Sequence, residues 1–359
     1  MSDAHNNPLS RRLTRPVQVA GVKIGGGAPV PVQTMTKTDT GDAEATLAQI
    51  KQVAAAGADL IRLALPSAAV LDAFQRICCK SPLPVIADIH FDYRLAIEAA
   101  RRGAAKLRVN PGNLGGRERL AAVLGAATEA GIPVRVGVNA GSLPQDLLAT
   151  HGGPTARAMA EAAARMVGEA QDLGFHDLVV SLKASDVPRT IESNRLFAAA
   201  SDLPLHLGVT EAGLGQEALV RSAVGIGTLL AEGIGDTVRV SLTDDPAQEV
   251  RAGRQILQAL DMLPGPVLIA CPTCGRCKVD LRPLAEEVRL ALAGVTKPVV
   301  VAVMGCEVNG PGEAKHADVG LAAGKETAAL FRSGEVLRRV PIGEAASALI
   351  AELRILLRD

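Results

Sequence analysis

At 359 residues the chain is long enough for two domains, or for one large domain with an appendage. Its 38 basic and 38 acidic residues cancel, which argues against nucleic acid or an anionic membrane as partner, and 2% aromatics leave no platform for stacking single-stranded bases. The polar start Met-Ser-Asp-Ala-His-Asn-Asn does not suit a signal peptide and no apolar run reaches bilayer length, so a cytoplasmic location is expected, with six cysteines as free thiols and ligands rather than disulfides.

In chain order, an apolar, glycine-rich ribbon over 17–32 is expected to form a hairpin, with Gly25, Gly26 and Gly27 as its flexible turn. The triplet is not a phosphate-binding loop, because no Gly-Lys-Ser/Thr follows it. Residues 32–35 read as a strand and 42–57 as an Ala-rich helix stopped by Gly57. The alternation repeats with strands over 60–65, 85–89, 106–110, 134–138, 178–183, 205–210 and 238–243, each followed by an apolar helix, the last over 246–260. Eight strand-helix units in about 230 residues fit a (β/α)8 TIM barrel, whereas an open doubly wound sheet more often stops at five to seven strands.

Strands of a parallel sheet are covered on both faces and should read as nearly unbroken Val, Ile and Leu. Five of these carry a cation: Arg62, Arg108, Arg135, Lys183 and Arg239. Placed toward strand C-termini, they would converge on the barrel mouth, where active sites of this fold lie. Acidic partners are fewer, Asp88 and Glu211 with Asp244 and Asp245 just beyond. Two readings follow: an internal salt-bridge network, or a site for a phosphate or diphosphate gripped by Arg forks. His90, Asn110, Asn139, Thr210 and Ser241 fall at the same level, where they can bond phosphate oxygens or hydroxyls, and Glu211 is the carboxylate best placed to deliver a proton.

The cluster Leu263-Pro-Gly-Pro266 marks a domain boundary, giving a barrel domain over 1–263 and a small α/β domain over 264–359. In the latter, strands are expected over 267–270, 298–304, near Val319, 328–331 and 336–340, with helices over 284–292 and 344–357. Two polar, Gly-rich loops follow its first two strands: Cys271-Pro-Thr-Cys-Gly-Arg-Cys277 and Gly305-Cys-Glu-Val-Asn-Gly-Pro-Gly-Glu313. Thiols three residues apart on a tight turn suit zinc or an iron-sulfur cluster, ordinary buried thiols being the plain alternative. No His stands at zinc-ligand spacing and no second Cys-x-x-Cys pair follows, which favours iron-sulfur.

These loops, with Ala87-Asp-Ile-His-Phe91, Leu107-Arg-Val-Asn-Pro-Gly-Asn113, Val134-Arg-Val-Gly-Val-Asn-Ala-Gly-Ser142, Ser181-Leu-Lys-Ala-Ser185, Gly208-Val-Thr-Glu-Ala-Gly213 and Val238-Arg-Val-Ser241, resemble the 4-hydroxy-3-methylbut-2-en-1-yl diphosphate synthase family in its bacterial two-domain form. The likeness runs from about Arg15 to the C-terminus. It implies reduction of 2-C-methyl-D-erythritol 2,4-cyclodiphosphate to 4-hydroxy-3-methylbut-2-enyl diphosphate in isoprenoid biosynthesis, with a [4Fe-4S] cluster held by Cys271, Cys274, Cys306 and Glu313 and with Glu211 as acid. It also implies reduced flavodoxin or ferredoxin as electron donor, and a head-to-tail homodimer in which each cluster domain caps the partner's barrel.

The chain departs from that pattern at Cys277, where the family usually has no thiol. Either Cys277 is a bystander, or it displaces Glu313 and closes the cluster to substrate. The rival to the whole reading is a TIM-barrel enzyme for another phosphorylated or pterin-like substrate, with a structural zinc in the C-terminal domain.

Overall fold

The computed structural model describes residues 9–306 and 316–358, and the chain divides between Leu263 and Pro264 into two compact units. The first opens with a small antiparallel hairpin, β1 (Val17–Val19) and β2 (Val22–Ile24). Its turn is Ala20-Gly21, with Ala20 in the left-handed region at φ 48°. The glycine triplet follows the hairpin instead of forming its turn, which corrects the expectation. Gly25 is required there, because a Cβ would come within 2.6 Å of the Arg15 carbonyl and 2.7 Å of Thr14 Oγ1.

Next come β3 (Gln33–Met35), β4 (Leu60–Ala64), β5 (Val85–Asp88), β6 (Lys106–Val109), β7 (Val134–Asn139) and β8 (Leu178–Lys183), one parallel sheet in chain order. The strands β9 (His206–Leu207) and β10 (Thr237–Val238) pair with each other. Single parallel bridges, Val180 to Leu205 and Val32 to Val238, join that pair to β8 and to β3, so the sheet closes into the expected eight-stranded barrel. The last two strands are far shorter than 205–210 and 238–243. Gly208 lies so close to the neighbouring backbone that a Cβ would sit 2.7 Å from the Arg239 carbonyl, and the regular ladder stops before that contact.

Helices α1 (Ala43–Ala55), α2 (Leu71–Lys80), α3 (Tyr93–Arg101), α4 (Pro111–Leu114), α5 (Arg117–Ala130), α6 (Gln145–His151), α7 (Ala156–Asp172), α8 (Val187–Ala200), α9 (Gly215–Ala231) and α10 (Pro246–Ala259) connect the strands. Carboxylates start several of them: Asp42, Asp92, Asp186 and Asp245 each accept a backbone N–H of the first turn. Strand alternation then sorts the side chains. Ile61, Leu63, Ala87, Leu107, Val109, Val136 and Val180 join the helices in one apolar core outside the sheet. Leu60 and Ile86 point the other way and meet Val19 and Ile24, so the hairpin closes one end of the barrel with a small apolar floor.

The second unit is a five-stranded sheet in the order β11 (Pro266–Ala270), β12 (Val299–Met304), β13 (Val319–Ala323), β14 (Thr327–Arg332), β15 (Glu335–Pro341). The first three strands run parallel and the last two antiparallel. Val301, Val303, Leu321 and Leu330 on one face pack with Val288 of α11 (Leu281–Ala291) and Leu349 and Leu353 of α12 (Ala345–Arg358). Among the described residues, no helix is long and apolar enough to cross a membrane.

Candidate active site

Inside the barrel the second face of each strand is polar. Arg135 of β7 reaches straight across to β3, its Nη1 donating to Gln33 Oε1 at 3.2 Å. Asp88 of β5 meets Arg108 Nη1 at 3.0 Å, and Arg62 Nε and His90 Nε2 each at 3.5 Å. Arg239, just past β10, lies 3.2 Å from Glu249 of α10 and shares the Met35 sulfur with Arg62. Lys183 closes β8 with its Nζ across Gly208, where a Cβ would come within 2.8 Å of it. Gly137 makes the same room for Arg108, whose Nε would stand 3.2 Å from a Cβ there.

These groups are short of negative charge. Arg62, Lys106, Arg108, Arg135, Lys183 and Arg239 are buried or nearly so, and the carboxylates that meet them are Asp88 and Glu249. Burial, then the opposing pull of Asp88 and the crowding of Arg239 and Arg108, leave the Arg62 guanidinium lowered to about 10. Burial first, and neighbouring cations second, push Arg135 and Lys183 well below their ordinary values. Burial would raise the Asp88 carboxyl, but Arg62, the His90 hydrogen bond and Arg108 outweigh it and hold it far below the carboxylate range. A buried excess of cations is costly unless an anion arrives to share it.

The expected cations are brought together, but not all at the mouth. Arg135 is the second residue of β7 and fully buried, so it lies deep in the barrel rather than toward the strand's C-terminus. Three interior groups escaped the reading of the sequence: Lys106, His206 and Gln33, all fully buried. Lys106 was legible, since it stands two residues before Arg108 and alternation puts both on one face. Glu249 was missed too; it comes from a helix outside the barrel, where no strand pattern flags it.

The neutral groups ring the upper end. Asn110 caps α4 through the Gly112 N–H and donates to Ser142 Oγ at 3.2 Å. Asn139 ends β7 half-buried, as are Thr210 and Ser241 beyond β9 and β10, and His90 is exposed. Glu211 is exposed and holds a left-handed backbone, φ 52°, which is uncommon for a residue with a Cβ. Asp245 caps α10 and accepts from Gln52 Nε2 at 2.7 Å.

In the second unit, Cys271 follows β11, with Cys274 three residues on, and Cys306 follows β12, the parallel neighbour of β11. The Cys271 N–H donates to Val303 O at 2.9 Å, tying the two loops at their origin. Arg276 lies among the three: hydrogen bonding to Cys274 and the nearness of Cys274, Cys306 and Cys271 raise its guanidinium above the usual value. Cys277 has a hydrogen-bond partner of its own. Its Sγ donates to Val279 O at 3.2 Å and packs on Gly305, where a Cβ would sit 2.5 Å from it. Among the described residues no three Cys, His, Asp or Glu side chains stand close enough to grip a metal ion, and Glu313 lies outside the described residues. The donor chemistry nonetheless fits an iron-sulfur cluster, because three thiols at the ends of two neighbouring strands suit iron bridged by sulfide.

Two family models cover most of the chain: one described as the GcpE TIM-barrel domain matches residues 14–254, and one described as the GcpE protein C-terminal domain matches residues 267–355. The 4-hydroxy-3-methylbut-2-en-1-yl diphosphate synthase (flavodoxin) of Geobacter sulfurreducens is 52% identical over 96% of this chain and 98% of its own length. The protein of the same name from Thermodesulfovibrio yellowstonii is 50% identical over 96% and 99%. Among solved structures, type I 3-dehydroquinate dehydratase from Clostridium difficile superposes with a TM-score of 0.51 at 13% identity, covering 69% of this chain and 98% of that one, a likeness of fold alone. The chain therefore belongs to the GcpE family, that of the flavodoxin-type 4-hydroxy-3-methylbut-2-en-1-yl diphosphate synthases.

Proposed function

We propose that the barrel interior takes 2-C-methyl-D-erythritol 2,4-cyclodiphosphate and that the chain converts it to 4-hydroxy-3-methylbut-2-enyl diphosphate, a step of isoprenoid biosynthesis. The cyclic diphosphate opens at carbon, one hydroxyl leaves as water, and two electrons and two protons are taken up. The observation that carries this reading is the surplus of buried cations inside the barrel, which a small diphosphate balances. The enzyme is an iron-sulfur oxidoreductase. Its cofactor is a [4Fe-4S] cluster, which when bound supplies the electrons one at a time.

The residues divide the remaining work. Arg62, Arg108, Lys183 and Arg239 grip the phosphates, with Arg135 beneath them, as planar forks and a mobile ammonium do for bidentate oxygens. Asp88 fixes Arg62 and Arg108 in place for that grip. His90, Asn110, Asn139, Thr210 and Ser241 take the remaining phosphate oxygens and hydroxyls. Glu211, exposed beyond β9, hands a proton to the departing hydroxyl. Residues 1–263 thus form the substrate domain and 264–359 the cluster domain.

Cys271, Cys274, Cys306 and Glu313 are the proposed ligands, and the carboxylate would hold its iron more exchangeably than a fourth thiolate. Cys277 is a bystander, which its hydrogen bond to Val279 supports. The electron donor is reduced flavodoxin or ferredoxin, and the compartment is the cytoplasm. A head-to-tail homodimer, implied by the family resemblance and supported by the short connector of residues 260–265 between α10 and β11, completes each site in trans. Mixing Cys271→Ser and Glu211→Ala chains then restores activity, and verified mixed dimers without activity contradict it.

The function itself is tested by anaerobic turnover. Protein reconstituted with iron and sulfide, given the cyclodiphosphate and a chemical reductant, forms the linear diphosphate. Zinc in place of iron, or no product with iron bound, defeats the proposal.

A further inference from the structure

Beneath the cations that meet Asp88 and Glu249 lies a second polar layer, of which only Arg135 figures in the proposed phosphate grip. Gln33 is the register partner of Leu60, and Lys106 of Ile86, two of the residues of the apolar floor. His206 pairs in register with Thr237, and its Nδ1 stands 3.5 Å from Thr237 Oγ1. Arg135 joins the layer through its hydrogen bond to Gln33. All four side chains are at most 1% exposed, and each has a polar atom with no hydrogen-bond partner among the described residues: Gln33 Nε2, Lys106 Nζ, Arg135 Nε and His206 Nε2.

The chemistry of those four atoms is one-sided. An amide nitrogen, an ammonium and a guanidinium Nε can only donate, and the imidazole Nε2 donates in one of its tautomers. Unpaired donors at this depth each carry a desolvation penalty, and among the described residues the layer contains no carboxylate. Asp88, one layer above, is already engaged by Arg62, Arg108 and His90. Loss of the Lys106 proton would remove a charge but not the orphaned donors of Gln33 and Arg135, for no hydrogen bond links either to Lys106. Water would satisfy directions but leave two buried cations without a counter-charge. What fits is an acceptor that is also negative, and small, since it must sit between Arg135 and Lys106, two of the largest fully buried side chains.

We infer that the floor of the barrel is a binding site for a halide-class inorganic anion, held by Lys106 Nζ, Arg135 Nε, Gln33 Nε2 and His206 Nε2. The site is separate from the mouth and holds whether or not the mouth takes a cyclodiphosphate. Its occupant keeps Lys106 charged against the combined push of burial, Arg135 and Arg62.

Crystals of the full-length chain grown in bromide without substrate test this directly. An anomalous peak in contact with Lys106 Nζ and Arg135 Nε is expected. Bromide at the mouth alone, or only water at Lys106, overturns the inference. In solution, replacing gluconate by chloride at constant ionic strength should raise the melting temperature of the wild-type chain, as any ligand selective for the folded state does. Lys106→Met, which keeps the aliphatic stem and removes the donor, should lose most of that rise. A chloride effect of equal size in both proteins, or none in the wild type, contradicts the site.

Discussion

Glu249 governs one side of the mouth from outside the barrel. Its carboxylate is 1% exposed and accepts from Arg239 at 3.2 Å, Thr34 Oγ1 at 2.8 Å and the Leu242 N–H at 3.1 Å, with Lys37 Nζ at 3.6 Å. Removing one partner of a buried pair strands the other, a loss of about 3–5 kcal/mol. Urea unfolding of Glu249→Gln should lie toward the lower end of that range, because the amide keeps part of the hydrogen bonding; stability within error of wild type would show that Arg239 does not depend on it. Asp88 makes a prediction in pH. Its folded carboxyl is held far below the unfolded value of about 3.9, so its stabilisation is fully present above that value and lost as pH falls below it. The gap in melting temperature between wild type and Asp88→Asn should be constant above about pH 5 and shrink below about pH 4. A gap that widens on acidification contradicts the assignment.

At the level of elements, the barrel was readable because eight apolar runs alternate with Ala-rich helices, and the turn carboxylates announce where helices start. The lengths of β9 and β10 were not readable, since they depend on a contact between Gly208 and Arg239 that the sequence does not express. Nor was the depth of Arg135, because strand tilt in a closed barrel, not position along a strand, sets the layer a side chain occupies. The floor escaped for a similar reason: the hairpin was legible, but its apolar residues find Leu60 and Ile86 only through the closed topology. Gly208→Ala tests the seam. Lys183 can swing away from the new methyl group, but the Arg239 carbonyl 2.7 Å from it is backbone and must shift. A cost of about 1–3 kcal/mol is expected in unfolding, as for other overpacked sites, together with weaker binding of the cyclodiphosphate. Unchanged stability and affinity would mean the seam yields freely.

For the whole molecule, the boundary between two units was legible in the Pro/Gly cluster before β11. The proposed ligand set of the iron-sulfur cluster comes from family resemblance alone, because a carboxylate far along a Gly-rich loop carries no spacing signal of its own. Cys277 is the position where resemblance and residues disagree. Cys277→Ser should keep the absorption spectrum of the reconstituted cluster and the activity; loss of both would make it a ligand in place of Glu313.

The cationic interior of the barrel, not the surface, is the proposed seat of a small diphosphate. Calorimetric titration of the substrate into the full-length chain tests it most directly, since binding needs no electrons. One cyclodiphosphate should bind per chain, with no measurable binding of unphosphorylated 2-C-methyl-D-erythritol, and affinity should fall about tenfold or more in Arg108→Met, the loss of one charge-assisted contact. Equal binding of the unphosphorylated polyol, or an Arg108→Met chain that binds as tightly as wild type, would contradict it.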